Sequence, residues 1–301
     1  MDEKRSVRTS IDWGELSPLR VRAREVAEGV YSGLHRSALR GSGVEFGGYR
    51  EYVPGDDLRW LDRRSLLRHD RLVVRQFETE TDRALCLLLD ASASMGYRSP
   101  RAPGAKIAFG AVVVAALARV ALAQGDPVGL SFVAGAHAVP VSRANGREQF
   151  ERIVAALESV EVSGDATLDP SMLERAIHAA ARGARRGTIF VLVSDLIDWP
   201  SSEIARVAAM TSGGRVLGVV RTLDPSETTF PFEGTVRLRA LEGRDLVETD
   251  ARASRDHYLG VLAALTQEWK DGIVSRGGRF LTARTDDPPV EVVRDLIRSI
   301  R

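Results

Sequence analysis

Residues 84–95 read ALCLLLDASASM, six apolar residues followed by a short polar stretch that begins at Asp90. A continuous apolar run without alternation is typical of a strand buried on both faces, as the strands of parallel sheets are. Open α/β sheets bind their ligands beyond the carboxyl ends of the strands, which is where Asp90 falls. This segment therefore predicts a central parallel strand with a polar loop at its carboxyl end.

Segments on both sides of this strand alternate between strand and helix. Further strands are predicted at 127–133, 188–194, 215–220 and 279–283, and helices at 105–124, 147–160, 170–181, 202–210, 255–274 and 289–300. Such alternation is typical of parallel sheets with right-handed crossovers and helices on both faces. The predicted fold class is α/β, with a mostly parallel, Rossmann-like sheet and a β-hairpin insertion at about 223–250.

The first 80 residues differ from the rest of the chain, because they are rich in Arg, Asp, Glu and Gly. A helix is predicted at 18–30 and a strand at 71–78, but this region is too polar to bury a large core of its own. We therefore expect two parts: residues 1–80, which pack on the core, and residues 81–301, which form the α/β domain.

Bulk composition argues against several functional classes. The 301 residues carry a net charge of +1, which gives no support to nucleic-acid binding. Cys86 is the single cysteine, so a disulfide within the chain is impossible and a reducing compartment is expected. The residues after Met1 have no apolar core of a signal peptide, and the apolar stretch 107–122 is interrupted by Gly110 and Arg119. We expect a cytoplasmic protein without a membrane anchor.

Three oxygen-bearing side chains follow the central strand on one short loop: Asp90, Ser92 and Ser94. Hard cations such as Mg²⁺ prefer oxygen ligands and usually keep several waters. Two further residues are placed to reach the same edge, because Thr167 lies in SGDATLDP between two predicted helices and Asp195 directly follows a predicted strand. Each residue alone is also compatible with a helix cap or a turn, but together they favour a metal site.

The order Asp-x-Ser-x-Ser, loop Thr, strand-end Asp resembles the metal-ion-dependent adhesion site of von Willebrand factor A domains. The resemblance implies that Ser92 and Ser94 bind Mg²⁺ or Mn²⁺ directly, and that Thr167 binds it directly or through water. It also implies that Asp90 and Asp195 act mainly through waters and hydrogen bonds. A carboxylate from a partner protein would fill the open coordination position, so such a site binds another protein and does not catalyse a reaction.

The flanking segments resemble a more specific group, the domain-of-unknown-function 58 family. Residues 40–80, RGSGVEFGGYREYVPGDDLRWLDRRSLLRHDRLVVRQFETE, resemble its signature, and residues 224–250 resemble its hairpin insertion. The family's frequent association with MoxR-type AAA+ ATPases implies an adaptor that acts with such an ATPase in protein remodelling or activation. The chain departs from the family at Arg63, where members usually have Trp. Many members carry transmembrane helices before the signature, but we expect none here.

A metal-dependent hydrolase of the phosphatase type, acting through Asp90, is the main alternative. A haloacid-dehalogenase phosphatase needs a second Asp two residues after its nucleophile, and Ser92 stands there instead. The chain also lacks an H-E-x-x-H zinc motif, a phosphate-binding P-loop and a G-x-S-x-G elbow. The Arg- and Asp-rich segment 50–71 is compatible both with a partner-binding surface and with an ion-pair network that fixes its own loops.

Overall fold

The computed structural model describes residues 11–35, 46–51, 73–77, 83–164, 169, 171–197, 199–239 and 246–300. Contacts divide the chain into two compact units, one of residues 1–33 with 82–301 and the other of residues 34–81. The described strands are β1 (Phe46–Glu51), β2 (Val73–Phe77), β3 (Leu85–Asp90), β4 (Val128–Val133), β5 (Val141–Ala144), β6 (Ile189–Ser194), β7 (Val216–Leu223), β8 (Thr235–Arg239), β9 (Leu246–Asp250) and β10 (Arg279–Arg284). The described helices are α1 (Leu19–His35), α2 (Lys106–Ala123), α3 (Arg147–Ser159), α4 (Ser171–Ala181), α5 (Ser202–Ala208), α6 (Pro225–Thr229), α7 (Ala251–Val274) and α8 (Pro289–Ile300).

A six-stranded sheet, in the order β10-β7-β6-β3-β4-β5, forms the centre of the larger unit. Its neighbouring strands are parallel except for β5, which pairs antiparallel with β4. Strand β3 is buried along its whole length, because it has a strand on each side and helices cover the sheet. Asp90 pairs with Val133 of β4, and Leu89 pairs with Val193 of β6, so the carboxyl ends of β3 and β6 lie side by side. The predicted α/β class is confirmed.

Helix α2 is apolar on nearly every side, as expected of a helix that is buried on nearly every side. Among the described residues it is the one helix long and apolar enough to cross a membrane, with a mean hydropathy of 2.0. However, 83% of its 18 residues are buried inside the protein, as in the core helix of a globular domain. It packs against β3 and β6 on the sheet and against α3 and α8 beside it.

Close packing of α2 on the sheet depends on Gly110. A Cβ atom at this position would lie 2.9 Å from Leu89 Cδ1 and 3.1 Å from Val193 Cγ1. We expect Gly110→Val to lower the free energy of unfolding by about 1–3 kcal/mol, because the added methyl groups must displace both side chains. Gly260→Val in helix α7 is the control, because nothing lies within 4 Å of a Cβ there. Chemical denaturation of both variants measures the difference, and equal stabilities would contradict the close approach.

Three elements were not predicted from the sequence. The edge strand β5 has only four residues, and the apolar alternation of such a short segment is weak. Helix α6 is held by a capping box, in which Asp224 accepts from Ser226 and Glu227 accepts from the Asp224 amide. Strand β7 was predicted, but it extends beyond its predicted end at residue 220, to Leu223.

The third missed element is β1, which lies in the smaller unit. It pairs antiparallel with β2, the strand expected at 71–78, and its register is irregular between Phe46 and Gly48. The two glycines at 47 and 48 indicate a turn by composition, but here they lie inside the strand. Most of the Arg- and Asp-rich segment 50–71 lies outside the described residues.

The expected hairpin and the first helix are both present in the larger unit. Strands β8 and β9 pair antiparallel from Thr235 with Asp250 to Arg239 with Leu246. Helix α1 buries an apolar face, and the Tyr31 hydroxyl donates to the Val120 carbonyl of α2 at 3.2 Å. Helix α1 therefore packs with the sheet domain. The boundary expected at residues 80 and 81 stays a prediction.

Candidate metal-binding site

The predicted site residues that the structure describes lie together at the carboxyl edge of the sheet. Asp90 is the last residue of β3, and Asp195 directly follows β6, the neighbouring parallel strand. A 3-10 turn at Ala93–Gly96 follows β3. Ser92 immediately precedes this turn, and Ser94 lies within it. All four side chains are buried. Thr167, the fifth expected ligand, lies outside the described residues.

Hydrogen bonds fix the orientation of the Asp90 carboxylate. Its Oδ1 accepts from the Ser92 amide at 2.9 Å, and its Oδ2 accepts from the Ser194 hydroxyl at 2.6 Å. The Ser194 hydroxyl oxygen in turn accepts from the Leu196 amide at 2.9 Å. Ser194 was not predicted as a site residue, although its place before Asp195 at the end of a buried strand is a usable signal.

The two serine hydroxyls lie next to each other, with Ser92 Oγ 3.2 Å from Ser94 Oγ. Backbone hydrogen bonds hold their turn in place. The Ala91 amide donates to Val133 of β4 at 2.8 Å, and the Ala93 amide donates to Gly164 at 3.2 Å. Gly164 immediately precedes the segment that contains Thr167. The chain that leads to the fifth expected ligand therefore contacts the serine turn.

Asp195 binds a lysine that was not predicted from the sequence. Lys106 Nζ, at the start of α2, donates to Asp195 Oδ2 at 2.8 Å and to Glu227 Oε1 at 2.6 Å. The Lys106 and Asp195 side chains are 1% and 0% exposed, and Glu227 is 14% exposed. The second carboxylate oxygen of Asp195 accepts from the Ile197 amide at 3.0 Å. The sequence did contain an indication that Lys106 has a specific role. It is one of three lysines in an arginine-rich chain, and it begins an apolar helix.

Burial and the neighbouring charge of Asp195 raise the pKa of Asp90 from its ordinary value of 3.8 to about 7. The hydrogen bonds from Ser194 and Ser92 act in the opposite direction but do not cancel this rise. Burial lowers the pKa of Lys106, but the charges of Asp195 and Glu227 outweigh it and the pKa of Lys106 is raised. Two buried carboxylates therefore share one edge, with the lysine ammonium on only one of them.

The metal-free protein is expected to lose stability as the pH rises through this range. Because the pKa of Asp90 is higher in the folded chain than in the unfolded chain, the folded state binds a proton more tightly between pH 3.8 and about 7. Stability from this group is therefore fully present at low pH and is lost as the pH rises through the folded pKa. Thermal unfolding in EDTA from about pH 5 to about pH 8 measures it, with Asp90→Asn as the control. A wild-type slope equal to that of Asp90→Asn would contradict the raised pKa.

The donor set fits a hard divalent cation. It consists of carboxylate and hydroxyl oxygens, which Mg²⁺ and Mn²⁺ prefer. Among the described residues, the buried ionisable groups around the edge are mostly acidic, because Asp90, Asp195 and Asp224 are fully buried with Glu227 beside them, against Lys106 and Arg221. In the described part of the chain, no three His, Cys, Asp or Glu side chains are grouped as metal ligands. A metal at this edge would therefore depend on the serine hydroxyls as well as on carboxylates.

The sheet order, the covering helices and the Asp-x-Ser-x-Ser loop at the carboxyl edge define an α/β domain that presents an oxygen-bearing loop at the end of its central strand. The chain belongs to the family described as protein of unknown function DUF58, whose model matches residues 48–267. The uncharacterized protein Rv1480 of Mycobacterium tuberculosis is 27% identical over 286 residues, which cover 93% of this chain and 87% of that protein.

The solved structures that match this chain share little sequence with it. BatB from Bacteroides thetaiotaomicron is 16% identical, with a TM-score of 0.47, and the match covers 72% of this chain and 98% of BatB. An aerotolerance-related membrane protein from Bacteroides fragilis is also 16% identical, with a TM-score of 0.45 and the same coverages of 72% and 98%. A von Willebrand factor type A protein from Catenulispora acidiphila is 14% identical, with a TM-score of 0.41. The match covers 72% of this chain and 42% of that protein's chain.

Proposed function

We propose that this protein is a non-catalytic adaptor that binds another protein through a divalent metal ion. Asp90, Ser92, Ser94 and Asp195, together with Thr167, would hold Mg²⁺ or Mn²⁺. A carboxylate from the partner would complete the coordination of the ion. The observation that carries this proposal is the pair of adjacent serine hydroxyls on the turn that follows the buried Asp90 carboxylate, at the same edge of the sheet as the buried Asp195.

The chemistry of the edge favours binding over hydrolysis. Both carboxylate oxygens of Asp90 accept hydrogen bonds, and the side chain is 0% exposed, so it is poorly placed to attack a substrate. The position two residues further on, where a phosphatase needs a general acid, is Ser92. Two neutral hydroxyl ligands leave the positive charge of a divalent metal ion only partly neutralised. Such an ion attracts a further, acidic ligand.

The partner is proposed to be a MoxR-type AAA+ ATPase, or a client protein that such an ATPase remodels. This part of the proposal rests on the family to which the chain belongs. A cytoplasmic location is likewise proposed, because a chain with the single cysteine Cys86 suits a reducing compartment.

Calorimetric titration tests the metal site and the role together. Mg²⁺ and Mn²⁺ are titrated into the wild-type protein, and a glutamate-rich peptide is then titrated with Mg²⁺ and with EDTA. The proposal expects metal binding, peptide binding that requires the metal, and no turnover of p-nitrophenyl phosphate. Metal-dependent turnover that is lost in Asp90→Asn would instead establish the hydrolase.

Ser94→Ala is expected to weaken Mg²⁺ binding about tenfold with little loss of stability, because it removes a ligand that lies at the edge of the sheet and not in the apolar core. Ser99→Ala is the matched control. Ser99 is also buried on the same loop region, but its hydroxyl has no hydrogen-bond partner. Calorimetry and thermal unfolding separate the two effects. A large fall in melting temperature for Ser94→Ala would show that the hydroxyl is structural.

A further inference from the structure

Lys106 lies in a position that disfavours a positive charge. It is the first residue of α2, where the aligned peptide dipoles present their positive end. The side chain is 1% exposed, so the ammonium has lost its hydration. An apolar residue of similar length, such as methionine, would avoid both costs. The ammonium is therefore maintained there by its two carboxylate partners, Asp195 and Glu227.

The ammonium lies on a carboxylate that the proposed metal site also uses. Asp195 Oδ2 accepts from Lys106, and Asp195 Oδ1 accepts from the Ile197 amide, so both oxygens already have donors. The other carboxylate of the site, Asp90, accepts from neutral donors within the described part of the chain, which are the Ser92 amide and the Ser194 hydroxyl. A divalent ion that interacts with Asp195 must share that carboxylate with Lys106.

Glu227 gives the ammonium a second partner that is held in place independently of the site. Its Oε1 accepts from Lys106, and its Oε2 accepts from the Asp224 amide at 2.7 Å in the capping box of α6. Asp224 also accepts from the Ser99 amide at 2.9 Å, which ties α6 to the loop after the serine turn. Glu227 can therefore still bind the Lys106 ammonium when the hydrogen bond from Lys106 to Asp195 weakens.

We propose that Lys106 is a tethered cation that competes with the divalent ion for Asp195 and thereby sets the metal affinity of the site, with Glu227 holding the ammonium when the metal binds. This inference rests on the proposed metal site and names the residues that tune it. Unit charges a few ångströms apart interact strongly in a protein interior, so changing one of them alters the affinity about tenfold or more.

Two variants move the affinity in opposite directions. Glu227→Gln keeps the acceptor for the Asp224 amide, because Gln serves equally in a capping box, but it leaves the ammonium to Asp195 alone. We expect Mg²⁺ and Mn²⁺ to bind about tenfold more weakly. Lys106→Met combined with Glu227→Gln removes one charge of each sign and frees Asp195, so we expect binding about tenfold tighter than in the wild type.

Calorimetry with Mg²⁺ and the Mn²⁺ paramagnetic resonance signal measure binding, and circular dichroism in EDTA confirms that each variant is folded. Weaker binding in Glu227→Gln with tighter binding in the double variant supports the competition. If the wild type binds metal and neither variant changes its affinity, the competition is overturned while the metal site stands. If only the double variant binds, the competition is supported and the wild-type protein is not metal-dependent. If no form binds, both proposals fail.

Discussion

Lys106→Met is expected to lower the free energy of unfolding of the metal-free protein by about 3–5 kcal/mol, because it leaves buried carboxylates without their cation. Asp195 is 0% exposed and Glu227 is 14% exposed, so water cannot replace the ammonium at Asp195 and replaces it only in part at Glu227. The methionine side chain fills a similar volume, which limits any additional effect from a cavity. Urea denaturation in EDTA at neutral pH measures the loss.

Lys270→Met is the control, because Lys270 is an exposed lysine on helix α7. A surface substitution of this kind changes stability by no more than about 0.5 kcal/mol. Addition of Mg²⁺ should stabilise Lys106→Met by more than it stabilises Lys270→Met, because in the former the bound ion also supplies the missing positive charge. Similar stabilities of the two variants in EDTA would show that the Lys106 ion pairs contribute little.

Asp90→Asn is expected to weaken Mg²⁺ binding about 100-fold, because it removes one of the two carboxylate charges at the proposed site. The metal-free variant should be at least as stable as the wild type near pH 8. At that pH the wild-type carboxylate is ionised, unfavourably, in a buried position beside Asp195. The amide can still accept from Ser92 or Ser194 through its oxygen. Calorimetry measures the affinity and thermal unfolding the stability.

Asp169→Asn is the matched control for this variant. Asp169 is also near the expected loop, but it pairs with Arg175 at 2.7 Å and both side chains are largely exposed. Its replacement should leave Mg²⁺ binding unchanged. If Asp90→Asn binds Mg²⁺ as tightly as Asp169→Asn does, Asp90 is not part of a metal site, and the hydrogen bonds that it accepts from Ser92 and Ser194 serve only the fold.

The regular elements of the α/β domain followed from local patterns in the sequence. The apolar run before Asp90 identified β3, and similar runs identified β4, β6 and β7, because a strand buried on both faces requires apolar residues throughout. The short elements were missed for the opposite reason. Strand β5 and helix α6 bury too few apolar residues to produce a period, and hydrogen bonds and pairing define them.

The sequence by itself determined which oxygen-bearing residues end the central strands, since Asp90 and Asp195 directly follow apolar runs. Only the tertiary structure decided which side chains meet them. Lys106 and Glu227 are separated by 121 residues, and Ser194 and Asp90 by 104, so no local pattern indicates either contact. The parallel pairing of β3 with β6 and the packing of α2 on the sheet bring them together. Charge pairs at this edge therefore depend on strand order, which local sequence patterns do not specify.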